Sequence, residues 1–125
     1  MISKEFVLAG CAIFTVSNGR GEHYTFKVLS PAFGMKSHAC YVLSGSNNET
    51  DYKYLCSMKD CQCHTNRITK SFEVLQWAIR RIWKQDGLPD GYKIQHAGRC
   101  GKCGRPLTTP DSIESGLGPK CRGKV

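Results

Sequence analysis

The sequence predicts an α+β chain: a small antiparallel sheet of two β-hairpins packed on one helix, with a C-terminal zinc knuckle. Three observations carry that expectation. The first sixty residues are runs of β-branched and aromatic side chains separated by Gly- and Asn-containing turns, which suits a pleated surface. Residues 71–84 change period, with Phe72, Leu75, Ile79 and Ile82 at helical spacing. Beyond His96 the chain becomes Gly-rich and basic and places Cys100 and Cys103 two residues apart. The boundaries expected from these shifts are an α+β domain over residues 1–92 and a basic zinc-binding unit over 93–125.

Residues 5–17 read as one strand, with Gly10 marking a bend or bulge. Asn18-Gly19-Arg20-Gly21 is a strong hairpin turn. The return strand, His23 to Leu29, alternates so that Tyr24, Phe26 and Val28 share a face. Ser30 to Ser37 is a loop, whose Phe33 and Met35 are expected to fold back on the core. A second hairpin follows, from His38–Leu43 and 51–58, with Tyr52 and Tyr54 on one face. Tyr24, Phe26, Tyr52 and Tyr54 together would form a base-stacking platform only if all four lay on one exposed face; packing under the helix is the commoner outcome. Cys56, Cys61, Cys63 and His64 are read chiefly as free thiols and a lone imidazole, with a second metal, or a ligand for the first, as the alternative.

Thr69 or Ser71 caps the helix, and Gly87 with Pro89 ends it. Arg80, Arg81 and Lys84 complement the negative end of its dipole, and a basic last turn beside a basic tail would make one patch. Trp83, near the helix edge, is a candidate contact or a hinge against the linker.

The chemistry is concentrated between His96 and Cys121. Two thiolates at Cys-x2-Cys spacing in a glycine turn converge on one point, and zinc takes four such ligands in a tetrahedron. Cys121 supplies a third after seventeen intervening residues. Position 124 is Lys, so the fourth is expected from His96, with a Cys or His of the middle region as the alternative. Thr109-Pro110 starts a short helical turn with Asp111 and Glu114 in it. Gly116 stops it, and Gly118-Pro119 returns the chain to the metal. Three thiolates in a tight knuckle indicate one closed, structural Zn²⁺ per chain rather than a catalytic one. The His-x-Glu of zinc deaminases, the P-loop and the dinucleotide fingerprint are missing from the sequence, so no enzyme and no small-molecule substrate is expected.

The string from Gly98 to Cys121, G-R-C-x-x-C-G-R-x-L-T-x-P-x-S-I-x-x-G-x-G-P-x-C, resembles the signature of the domain-of-unknown-function 6011 family, which looks phage- and actinobacteria-associated. The resemblance implies a metal-binding C-terminal unit and a phage or mobile-element origin, and no established activity.

The chain of 125 residues carries a formal net charge of +8. Residues 93–125 hold seven cationic side chains against Asp111 and Glu114. Basic surface neutralises phosphate, so nucleic acid is the first partner expected, met by Arg99, Lys102, Arg105, Lys120 and Arg122, with Arg80 and Arg81 as a second patch. The alternative is an acidic host protein, the chain then being a phage-encoded inhibitor of a host or defence protein with zinc purely structural. Eight cysteines with no secretory pattern and no apolar run of membrane length place the protein in the cytoplasm, the host's if phage-encoded, with reduced thiols and no membrane contact. Oligomeric state is not readable.

Overall fold

The structure is a computed structural model and describes residues 2–31, 33–47, 50–104 and 116–117. The fold is α+β. A short helix α1 (Lys4–Val7) precedes strands β1 (Cys11–Ser17), β2 (His23–Leu29), β3 (His38–Leu43), β4 (Tyr52–Lys59) and β5 (Gln62–His64). Helix α2 (Lys70–Lys84) and strand β6 (Lys93–His96) follow. All six strands join one antiparallel sheet in the order β5-β4-β3-β2-β1-β6. No helix among the described residues is long and apolar enough to cross a membrane.

The β1–β2 hairpin lies where the alternation places it, with Phe14 opposite Phe26 and Val16 opposite Tyr24. Its turn is closed by Asn18, whose Oδ1 accepts the amides of Arg20 and Glu22 at 2.8 and 3.2 Å. The β1 face that carries Ala12, Phe14 and Val16 is buried, as are Phe26 and Val28. Leu75, Ala78, Ile79 and Ile82 of α2 close over it, which is the helical stripe read from the sequence. Thr69 caps α2 by accepting the Phe72 amide at 3.2 Å, and Gln85, at φ 56°, ends it.

Four expectations are corrected. The single strand expected over residues 5–17 is two elements. Ser3 Oγ accepts the Phe6 amide at 3.1 Å and starts α1, and Gly10 at φ 127° turns the chain into β1. The two-hairpin sheet gains two edge strands. β5 is the second half of the Cys-x-Cys-His segment, which Gln76 pins to α2: its Oε1 accepts the Cys63 amide at 2.9 Å while its Nε2 donates to the Cys61 carbonyl at 3.1 Å. At the other edge, β6 pairs with β1 and buries Ile94 opposite Val16; a four-residue run with one apolar side chain was too short to announce itself. Phe33 and Met35 do not fold back: they are 107% and 64% exposed, held out on a loop turned by Gly34 at φ 82°.

The fourth correction concerns the tyrosines. Phe26 and Tyr24 belong to the helix-covered face, whereas Tyr52 and Tyr54 pair with Leu43 and Tyr41 on the opposite one. A bulge separates them from the rest of β4. Cys40 pairs with Cys56 and Tyr41 with Tyr54, so Leu55 is the extra residue. An inserted residue reverses the alternation, and Leu55 and Cys56 are consequently both buried.

Candidate metal centre and basic surface

β6 delivers the chain to the knuckle. Its pairing with β1 continues through the Ala97 amide, bonded to the Ile13 carbonyl at 3.0 Å. Gly98 then turns at φ 79°. Cys100 is buried and Cys103 is exposed. Between them the Lys102 amide points at Cys100 Sγ, 3.4 Å away, and the Gly104 amide closes the turn on the Cys100 carbonyl at 2.9 Å. An N–H aimed at sulfur favours thiolate over thiol, the state a metal needs.

The turn is seated on the sheet by backbone. The Cys11 amide donates to the Gly101 carbonyl at 2.6 Å, and the Gly101 amide donates to the Gly116 carbonyl at 2.7 Å. Gly116 adopts φ 76°, the left-handed conformation read from the sequence. Phe6 is the wall behind these contacts. A β-carbon on Gly101 would come within 2.7 Å of its ring, and one on Gly116 would also clash with it. The His96 ring lies 5.8 Å from the same phenyl group. Phe6 is the functional neighbour that sequence reading missed, because it was assigned to a strand. The signal was the Ser3-x-x-Phe6 cap.

The residues read as ligands divide. Cys100 and Cys103 share the turn. Cys121 lies outside the described residues, as do the helical turn expected from Thr109 and the cations Arg105, Lys120 and Arg122. His96 is at the mouth of the knuckle, but its Nδ1 accepts the Gly98 amide at 2.9 Å. A neutral imidazole accepting at Nδ1 carries its proton on Nε2, so ligation through Nε2 requires that bond to be given up. Among the described residues no three His, Cys, Asp or Glu side chains converge as a metal would need. Cys11 abuts the turn, its sulfur 3.9 Å from where a Gly104 β-carbon would stand, without completing such a group.

The cations also divide. Arg99 Nη1 donates to the Gly104 carbonyl at 3.2 Å and so braces the turn, and Lys102 is exposed. Arg81 ties the segment after α2 back to the helix, donating to the Gly87 carbonyl at 2.8 Å with its guanidinium 5.4 Å from the Trp77 ring centre. Arg80 is exposed and close enough to Cys63 to act on it electrostatically, which places it toward β5. That is the sheet edge opposite β6, the strand that leads to Arg99 and Lys102. Trp83 is partly buried against the core.

Cys40, Cys56 and Cys63 form a separate group on the α2 side, with exposures of 0, 0 and 8%. A hydrogen bond with Cys40, and burial, push the Cys56 thiol up. A bond to Cys56, and burial, push Cys63 further up. Cys56 and Cys63 are thereby held as protonated, inert thiols. His64 is exposed, next to the buried Cys63.

The Cys-x2-Cys turn thus follows directly on β6, the edge strand of the antiparallel sheet. Residues 94–125 match the model of a family of unknown function, DUF6011. No curated protein and no solved structure matches the chain.

Proposed function

We propose that the chain is a non-enzymatic, phage-type accessory protein that binds nucleic acid through a basic surface built around one structural zinc ion. Cys100, Cys103 and Cys121 hold the ion in this reading, and His96 joins them when its ring releases the Gly98 amide. The observation that carries the reading is the Lys102 amide 3.4 Å from Cys100 Sγ: the same residue stabilises the thiolate through its backbone and presents its ammonium group to solvent. Lys102 and Arg99 lie on this turn, in a tail whose charge stays strongly positive even after the net single negative charge of three thiolates on one Zn²⁺ is included. Metal analysis of protein purified without added zinc is expected to give about one ion per chain. Lys102→Glu with Arg105→Glu is expected to abolish binding of duplex nucleic acid and leave the zinc content unchanged. A metal-free protein, or a paired charge reversal without effect on binding, overturns the reading.

The exposed Phe33 and Met35 favour a second reading, in which the chain is an inhibitor that docks on a host or defence protein. An apolar pair held out on a turn is how hot-spot contacts are presented. Phe33→Ala with Met35→Ala would then abolish capture of the partner and leave any nucleic-acid affinity intact.

A further inference from the structure

β5 pairs only with Ser57, Met58 and Lys59 of β4. Among the described residues no strand covers the earlier half of β4, from Tyr52 to Leu55, on that side. Between this open edge and the segment leading into α2 lies a groove of about 930 Å³. Lys53, His64 and Arg67 line it, together with Tyr54, Ser57 and Asn66, and no acidic residue does. Tyr54 is 62% exposed. The Tyr41 ring meets it at 5.7 Å and 82°, a T-shaped contact that fixes the ring and occupies at most one of its faces. The bulge at Leu55 is what turns Tyr54 outward while its neighbour packs inward. Tyr52 offers no such face: Lys27 Nζ sits 4.8 Å over its ring and its hydroxyl is buried.

We infer that this groove binds a single strand of nucleic acid, with a base stacked on Tyr54 and the backbone phosphates on Lys53 and Arg67. The inference rests on the nucleic-acid reading above but uses a surface distinct from the knuckle. A fixed aromatic face beside cations and hydrogen-bond donors is the combination that holds unpaired bases. A duplex keeps its base faces stacked and cannot use it. A peptide strand adding to the edge of β4 fits less well, because Thr65 Oγ1 already donates to the Leu55 carbonyl at 3.2 Å and Lys53 is an edge-blocking charge.

The test is fluorescence anisotropy with a labelled twelve-residue oligothymidylate and with a blunt duplex, on the zinc-loaded full chain. Tyr54→Ala is expected to weaken the single strand about tenfold or more and leave the duplex unchanged. Tyr54→Phe, which keeps the ring, is expected to bind as the unaltered protein does. Lys53→Gln with Arg67→Gln should reduce the slope of log affinity against log salt by about 1.4, two phosphates' worth on a single strand. Tyr54 is exposed, so folding should survive, and unchanged zinc content and melting temperature check it. Equal affinity of Tyr54→Ala and the unaltered protein for the single strand overturns the groove. If Lys102→Glu with Arg105→Glu alone abolishes all binding, the groove falls and the knuckle reading stands. If neither probe binds the unaltered protein at low salt, both fall.

Discussion

The sheet and the knuckle each bury cysteine, and they treat it in opposite ways. Cys40, Cys56 and Cys63 sit among apolar neighbours on the face that α2 closes, with Cys56 hydrogen-bonded to Cys40 and Cys63 to Cys56. Cys100 is equally buried, but a backbone amide faces its sulfur and three glycines, Gly98, Gly101 and Gly104, surround it. The first arrangement needs no cofactor, since a protonated thiol packs as a small hydrophobe. The second has little side-chain packing of its own: among the described residues its apolar anchors are Phe6 and Leu117. Among the described residues the sheet is therefore held by apolar burial, and the Cys100–Gly104 turn by backbone hydrogen bonds.

The strongest way to break that comparison is to remove the metal. Chelation of the purified protein, or Cys103→Ser, is expected to melt residues 97–125, because a structural zinc supplies on the order of 10 kcal/mol to a unit of this size. The β1–β2 hairpin and α2 should persist, and amide exchange resolved by segment would show it. Collapse of the whole sheet would mean that sheet and knuckle are one cooperative unit.

Phe6→Ala sharpens the same boundary. The phenyl ring is fully buried and touches both the sheet core and the knuckle glycines. Its loss should cost about 3–5 kcal/mol, the usual range for such a truncation. Thermal unfolding followed at Trp77 and Trp83 would report the sheet, and the rate of zinc release to a chelator would report the knuckle. Both are expected to change. A change in the sheet alone would remove Phe6 from the knuckle wall.

These two regions also differ in how legible they were. The hairpin and α2 follow from alternation and from the Leu75, Ala78, Ile79, Ile82 stripe, since burial on one face writes its period into the residues. The helical α1 did not, because one capping hydroxyl, at Ser3, outweighs the β-propensity of Phe6 and Val7. Neither edge strand did, since β5 and β6 are three and four residues long and carry no period. The Tyr54 groove was hidden for another reason. Its platform depends on a bulge, and an extra residue in one strand is a property of the pairing, which no single strand's sequence contains. At the knuckle, cysteine spacing announced the turn, but the tautomer of His96 is set by an amide two residues on and was not visible.

The smallest effect, and the most discriminating for the thiols, is in alkaline solution. The folded-state values of Cys56 and Cys63 are raised above the ordinary thiol value of 9.0, Cys56 by its hydrogen bond with Cys40 and by burial, Cys63 by its hydrogen bond with Cys56 and by burial. Below that value these thiols are protonated in both folded and unfolded chains, and their contribution to stability is fully present. As pH rises past it, the unfolded chain releases protons that the folded chain retains, so stability falls. The slope is about 1.4 kcal/mol per pH unit for each thiol once the unfolded chain is fully ionised. Tyr52, also raised by burial and by Cys11, adds a fall of the same sign only above its ordinary value of 10.0. Denaturant unfolding between pH 8.5 and 10 of the unaltered protein, of Cys63→Ala and of Cys56→Ala with Cys63→Ala should therefore give successively shallower declines. Equal slopes in all three would mean that Cys56 and Cys63 ionise as freely as exposed cysteine, and the contrast between the two kinds of thiol would be lost.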